Sequence, residues 1–460
     1  MTLIKSISGI RGTIGGAPGE GLSPLDVVKF AYAYCEKMRE RRPKPAGERY
    51  KVVVGKDARL SGDMVEQLVC GTLIACGVDV VKAGLCSTPT TEMAVVFEEA
   101  DGGIILTASH NPKQWNALKL LNEKGEFLNA AEGAAVLACA EAEDFNFAQV
   151  DDLGVIEERD FTDAHLDAVN SVGGIIMPRL LERMGVECVC VNCDPTGQFA
   201  HNPEPLPANL VELCEAVVNN NADFGISVDP DVDRLALICE NGKPFGEEYT
   251  LVSIADYLLS RVYNEALETG KSIEECAAPY KLVTSSNLSS SRALRDVTEQ
   301  YGGEYCTAAV GEVNVTTKMR EAGAIIGGEG NGGVIYPALH YGRDAMVGVA
   351  LFLTNLAYKK MKVSELRATY PEYVIAKNKI ELSDSALIDK ILDEVKTAYA
   401  AEDINTIDGV KISFEAKKEW VHLRRSNTEP IIRIYAEAAT EEAANALAQE
   451  IIAIANKIIG

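Results

Sequence analysis

Gly103-Ile104-Ile105-Leu106-Thr107-Ala108-Ser109-His110-Asn111-Pro112 divides into two halves of opposite character. The apolar run predicts the end of a buried strand. Pro112 biases Asn111 away from helix, so the polar half stays a loop. A loop leaving a strand end is aimed by a rigid scaffold and is a common seat for chemistry. This one presents the Ser109 hydroxyl beside the His110 imidazole. Taken alone, its Thr and Ser hydroxyls read more simply as a polar turn that satisfies backbone groups.

Working outward, residues 51–55 predict a strand, 57–59 a loop, 62–76 a helix, 78–81 a strand and 93–99 a helix. That alternation, with apolar β-branched strands, predicts a mostly parallel α/β sheet. Upstream, residues 8–16 form a glycine-rich loop carrying Arg11, and Ser23-Pro24 starts a helix. The pattern restarts with a strand at 187–192, a helix at 207–219 and a strand at 222–228. Asp229-Pro230-Asp231-Val232-Asp233-Arg234 follows, then a strand at 235–239. A third round has a helix at 249–267, a strand at 281–284, a helix after Ser289 and an apolar run at 324–327. It leads into Gly328-Glu329-Gly330-Asn331-Gly332-Gly333. The tail differs: helices at 380–400 and 440–459 flank strands at 410–414, 420–424 and 431–437. The expected fold is three similar mixed or parallel-sheet α/β domains (1–150, 151–252, 253–368) and a C-terminal α+β domain (369–460).

A chain of 460 residues is too long for one core, and its 47% hydrophobic content is that of an ordinary globular protein. Its 44 basic against 68 acidic residues give a net charge of −24. A general binder of nucleic acid or anionic membrane is therefore not expected. A phosphorylated substrate would need cations concentrated at its site. The opening residues do not read as a secretory leader. The longest apolar stretch, 345–358, is too short for a bilayer and predicts a core helix. The twelve cysteines then predict reduced thiols in a cytoplasm. Cys188, Cys190 and Cys193 invite a zinc reading. Cys188 and Cys190 alternate with Glu187, Val189 and Val191 along a predicted strand, and no second Cys/His pair has matching spacing, so small buried hydrophobes are the better reading.

Asp229, Asp231 and Asp233 are the most informative constellation. Pro230 keeps them in a loop, where carboxylates two apart converge on a hard divalent cation, Mg²⁺ or Ca²⁺. An EF-hand fails because Arg234 stands where glycine is needed and an apolar strand follows. Arg424-Arg425-Ser426-Asn427-Thr428-Glu429-Pro430, with Arg433 beyond, combines hydroxyls, an amide and arginines as a phosphate cradle would. Equally, it reads as a hydrogen-bonded turn with surface arginines. Glu329 and Asn331 sit on a flexible loop suited to sugar hydroxyls.

Together these four loops, in this order along essentially the whole chain, resemble the α-D-phosphohexomutase family, and within it the archaeal-type phosphoglucosamine mutase branch. TASHNP at 107–112 is similar to its phosphoserine loop and DPDVDR at 229–234 to its metal loop. GEGNGG at 328–333 resembles its sugar-specificity loop and RRSNTEP at 424–430 its phosphate-binding loop. The resemblance implies four domains around a cleft, with a mobile last domain. It also implies Ser109 as phosphorylated nucleophile, with His110 as a helper in its loop. Mg²⁺ would be held by Asp229, Asp231, Asp233 and the Ser109 phosphate. Arg11 and Lys119 match residues of proton transfer and phosphate stabilisation. Arg234, Glu329, Asn331, Arg424, Ser426, Asn427, Thr428 and Arg433 match substrate-binding positions. One departure stands out: Gly333 replaces a family histidine, whose role is either vacant or falls to His340.

The implied reaction converts hexose 6-phosphate to hexose 1-phosphate through a hexose 1,6-bisphosphate. Glucosamine phosphate is the leading substrate, and glucose or mannose phosphate the alternative. A monomer or homodimer without nucleic-acid or membrane partners is expected. A non-catalytic sugar-phosphate-binding protein would need a lost nucleophile or metal site. A Ser-His hydrolase would need a G-x-S-x-G elbow, which is absent around Ser109.

Overall fold

The computed structural model describes residues 2–6, 9–45, 47–159, 161, 171–381, 387–425 and 431–459. They form two compact units, Met1–Glu247 with Gly332–Leu353, and Glu248–Asn331 with Thr354–Gly460.

In the first unit, seven strands form one sheet. Their order is Leu3–Ser6, Gly9–Thr13, Trp115–Leu121, Gly102–Leu106, Tyr50–Lys56, Val78–Leu85, Ile156–Glu158. Tyr50–Lys56 runs parallel to both its neighbours, whereas Trp115–Leu121 is antiparallel to Gly102–Leu106, so the sheet is mixed. Strand periodicity divides its side chains between two cores. Val52, Val54, Ile104 and Leu106 join Phe30, Tyr34 and Leu73 on one face. Val53, Ile105 and Leu121 join Val81 and Val95 on the other. Burial on both faces is what an uninterrupted run such as Val52-Val53-Val54 requires. Helix Pro24–Arg41 starts at Ser23 with a reciprocal capping box to Asp26.

Register places the chemistry. Lys56 pairs with Leu106 and with Leu85, so three parallel strands end level and release their loops at one edge. Ligands bind at this carboxyl edge in α/β sheets. Further along, Phe224–Val228 and Leu235–Cys239 form an antiparallel hairpin around residues 229–234. The expected strand at 187–192 does not form, because no ladder pairs with it among the described residues. Cys188 and Cys190 are consequently exposed and Cys193 only half-buried, which corrects their reading as core residues.

In the second unit, Glu304–Ala308, Lys281–Asn287 and Ala324–Glu329 are parallel, with helices Glu247–Thr269, Ala293–Gln300 and Glu312–Ala322. The C-terminal part is a five-stranded antiparallel sheet in the order Val374–Glu381, Ile431–Ala438, Glu419–Arg425, Val410–Phe414, Asp403–Asn405. Helices Leu387–Ala398 and Glu441–Ile459 pack on it through Ile391, Val395, Ile412, Leu423, Ile434 and Ile451. Of the helix expected over 380–400, the described residues show Leu387–Ala398. Ile380 belongs instead to a strand, buried opposite Ile432. Among the described residues, no helix is long and apolar enough to cross a membrane.

Candidate active site

Ser109 sits at φ 51°, a left-handed conformation that a non-glycine residue holds only when its surroundings impose it. The agent is Arg59. Its Nε donates to Asp57 Oδ2 at 2.8 Å, and one terminal nitrogen reaches the carbonyls of Asn111, Pro112 and Trp115 at 2.9, 3.0 and 3.1 Å. The other terminal nitrogen donates to the Ser109 carbonyl. Asp57 Oδ2 also accepts from Thr107 Oγ1 at 2.7 Å, and Thr107 Oγ1 accepts the Ser109 N–H at 2.9 Å. The loop is therefore fastened from within the sheet edge. Its serine hydroxyl then donates to Asp229 Oδ2 at 2.8 Å and lies 3.3 Å from His110 Nδ1. Burial, then Arg234, pushes the His110 pKa down to about 2, leaving a neutral ring.

The aspartate loop is built just as tightly. Val232 at φ 63° curls the chain so that Asp229 Oδ1 accepts the N–H groups of Asp233 and Arg234, both at 3.2 Å. Asp229, Asp231 and Asp233 are fully buried, with ligand atoms within 4.8 Å of one another. Burial, then the two neighbouring carboxylates, holds Asp229 well above the usual carboxylate range. Asp231 is also opposed by burial, yet Lys119 and Thr88 outweigh it and depress its pKa. Asp231 Oδ1 and Asp233 Oδ1 are buried without a hydrogen-bond partner among the described residues. Orphaned oxygens of a desolvated carboxylate trio are the donor set that a hard divalent cation requires, so the cluster fits a metal site.

Cations surround the trio. Lys119, on Trp115–Leu121 opposite Ile105, reaches Asp231 Oδ2 at 2.6 Å and Asp233 Oδ2 at 3.5 Å. Burial opposes its charge, but these carboxylates prevail and raise its pKa. Arg343 reaches Asp233 Oδ2 at 2.5 Å, and Arg234 Nε lies 3.8 Å from Asp233 Oδ1. Arg11, on Gly9–Thr13, has its pKa lowered by burial and then by Arg234 and Arg343 nearby. Such crowding of like charges suits an anion.

His340 does not face the carboxylate trio. Its Nδ1 lies 3.3 Å from Glu92 Oε2 and its Nε2 3.2 Å from Asp344 Oδ2. Burial works against its charge, yet the two carboxylates raise its pKa to about 10, making it a charged strut. Arg343, three residues on, is the group that reaches inward. Asp57, Arg59, Thr88 and Arg343 were not singled out from sequence. For Asp57 and Arg59 a signal existed, since residues 57–59 read as a polar loop leaving a predicted strand end.

In the second unit, Glu329 ends its strand, and its Oε1 accepts from Asn287 Nδ2 at 2.8 Å and from the Gly311 N–H at 3.1 Å. Asn331 lies in the turn just beyond. Arg424 pairs directly with Arg433, which pairs with Lys379 on its other side, aligning three cations across the sheet. Like charges placed opposite are destabilising unless neutralised. Arg424 Nε is buried without a hydrogen-bond partner among the described residues. Ser426, Asn427 and Thr428 lie outside the described residues.

Four family models match in sequence. Phosphoglucomutase/phosphomannomutase alpha/beta/alpha domain I matches residues 3–147, domain II 127–242, domain III 249–373 and the C-terminal domain 378–454. A phosphoglucomutase/phosphomannomutase of Thermococcus kodakarensis is 34% identical, covering 94% of this chain and 95% of its own. A probable phosphoglucosamine mutase of Methanopyrus kandleri is 30% identical over 98% of this chain and 97% of its own. The crystal structure of a phosphoglucomutase/phosphomannomutase family protein from Burkholderia thailandensis superimposes with a TM-score of 0.81. It shows 25% identity and covers 99% of this chain and 97% of its own.

Proposed function

The chain belongs to the phosphoglucomutase/phosphomannomutase family of isomerases, and on that premise we propose that it interconverts glucosamine 6-phosphate and glucosamine 1-phosphate through phospho-Ser109. The observation that carries this reading is the Ser109 hydroxyl 2.8 Å from a buried aspartate trio faced by Lys119, Arg343 and Arg11. Phosphoryl transfer asks a protein mainly for positioning and for neutralisation of the equatorial oxygens. Here Arg59 supplies the positioning and the cations supply the charge. Domains at 1–150, 151–252, 253–368 and 369–460 carry these parts, and the enzyme works in the cytoplasm.

Phospho-Ser109 gives its phosphoryl group to O1 of the hexose 6-phosphate, forming a 1,6-bisphosphate. The sugar hydroxyl loses a proton, in which Arg11 and Lys119 assist, and Ser109 Oγ regains one. Asp229 Oδ2 accepts the hydrogen bond of the hydroxyl so formed. After the bisphosphate turns over, its 6-phosphoryl group returns to Ser109 and leaves the 1-phosphate. Mg²⁺, held by Asp229, Asp231, Asp233 and the serine phosphate, would neutralise charge on the transferring oxygens. Glu329 and Asn331 grip sugar hydroxyls. Arg424 and Arg433, with Ser426, Asn427 and Thr428, grip the phosphate that stays.

The relative from Methanopyrus supports glucosamine, and the more similar Thermococcus protein keeps glucose and mannose phosphates in play. Comparing kcat/KM for the three 6-phosphates, with Mg²⁺ and 1,6-bisphosphate, ranks them. We expect glucosamine first, and turnover of none of the three would sink the reading. Intact mass supplies the second check: a phosphate that persists in Ser109→Ala would exclude Ser109 as its carrier.

A further inference from the structure

The second unit contains a closed circuit of polar groups of which the proposed chemistry uses only Glu329. Asn287 donates through Nδ2 to Glu329 Oε1 at 2.8 Å, while its Oδ1 accepts the Ser289 N–H at 2.9 Å. Ser289 Oγ lies 2.9 Å from His422 Nδ1. On the ring's other side, His422 Nε2 is 2.6 Å from the Asp408 carbonyl. Asp408 Oδ2 accepts the Val310 N–H at 3.0 Å. The next N–H, that of Gly311, returns to Glu329 Oε1 at 3.1 Å.

These links admit one assignment of protons. A carbonyl only accepts, so His422 carries its hydrogen on Nε2 toward Asp408. A neutral imidazole then offers a lone pair at Nδ1, which accepts the Ser289 hydroxyl. His422 is 1% exposed, and burial, with Lys411 and Arg424 adding to it, pushes its pKa down to about 4. The ring is therefore neutral in the physiological range. The Ser289 segment is held at both ends: Lys411 Nζ donates to the Leu288 carbonyl at 2.7 Å, and Glu437 Oε1 accepts the Arg292 N–H at 2.9 Å.

The circuit joins two proposed grips. One end is Glu329, assigned to sugar hydroxyls. The other is the strand Glu419–Arg425, where Arg424 follows His422 by two residues and so shares its face. We propose that His422, acting through Ser289 and Asn287, is a positioning residue that sets the spacing between Glu329 and Arg424 and thereby contributes to the choice of hexose; this rests on the mutase reading. A buried histidine that merely completes the core would hold the fold together without favouring one sugar over another.

Ser289 gives the cleanest test, because removing one hydroxyl leaves the packing almost intact. Ser289→Ala should raise KM for glucosamine 6-phosphate about five-fold, the worth of one hydrogen bond. It should also narrow the kcat/KM preference for glucosamine over mannose 6-phosphate by a similar factor. Ser289→Thr, which keeps the hydroxyl, should restore both. His422→Gln should reproduce the Ser289→Ala change, and if it fails to fold the Ser289 pair still decides. Wild-type KM and preference in Ser289→Ala, or a loss that Ser289→Thr does not restore, would overturn the proposal while the mutase reading stands. Wild-type protein inactive on every hexose phosphate would overturn both.

Discussion

Arg59 and His340 are each defined by what their side chains touch, and each makes a separate prediction. Arg59 spreads its donors over Asp57 and four backbone carbonyls, a fork that the point charge of lysine cannot reproduce. Arg59→Lys should therefore loosen the left-handed Ser109 and lower kcat by roughly 10²-fold, the cost of a small misplacement of a reacting group. An unchanged kcat would mean that the loop holds itself. For His340 the sign follows from linkage. Its folded pKa is raised to about 10 from the ordinary value of 6.5. Its contribution is thus fully present below pH 6.5 and lost as pH rises toward 10. In denaturant titrations, the stability gap between wild type and His340→Gln should be widest below pH 6.5 and close toward pH 10. A gap that widened with pH would contradict the double carboxylate pairing.

At the scale of elements, the cross-strand row Lys379–Arg433–Arg424 is the telling feature. Lys379 is neutralised by Glu381 Oε1 at 2.8 Å, whereas Arg424 and Arg433 stand directly opposite each other, where like charges repel and a phosphate group would lessen the repulsion. Inorganic phosphate should raise the melting temperature of wild type, and this rise should shrink in Arg424→Gln. The same variant should raise KM for the sugar phosphate by roughly 10- to 100-fold, as expected for a charge-assisted hydrogen bond. An equal phosphate response in both proteins would place the phosphate elsewhere. The elements themselves were partly legible. Val52-Val53-Val54 and Ile104-Ile105-Leu106 announced strands because apolar runs buried on both faces leave few alternatives. Ile380 was misplaced into a helix because a short stretch next to a helical pattern carries no mark of its pairing partner. Only the ladder to Ile431–Ala438 makes it a strand.

For the whole molecule, the prediction concerns metal. A cation that binds only the folded aspartate trio stabilises it by mass action, about 2.7 kcal/mol at a hundred times its Kd. Chelation should therefore lower the melting temperature and stop turnover, and added Mg²⁺ should restore both. Asp231→Asn should abolish the Mg²⁺-dependent shift; a shift of wild-type size in that variant would place the ion elsewhere.

Sequence alone determined the trio and the serine loop, because each is local: Pro230 and Pro112 force loops, and near neighbours in the chain bring the carboxylates and the hydroxyl into them. It also determined the α/β alternation, because apolar periodicity reports burial directly. Only the tertiary structure decided that Arg343 meets Asp233, that Arg59 clamps Ser109, and that His340 is spent on Glu92 and Asp344. Those contacts join residues far apart in the chain, and they exist only once sheet register and helix packing have set the distances between them.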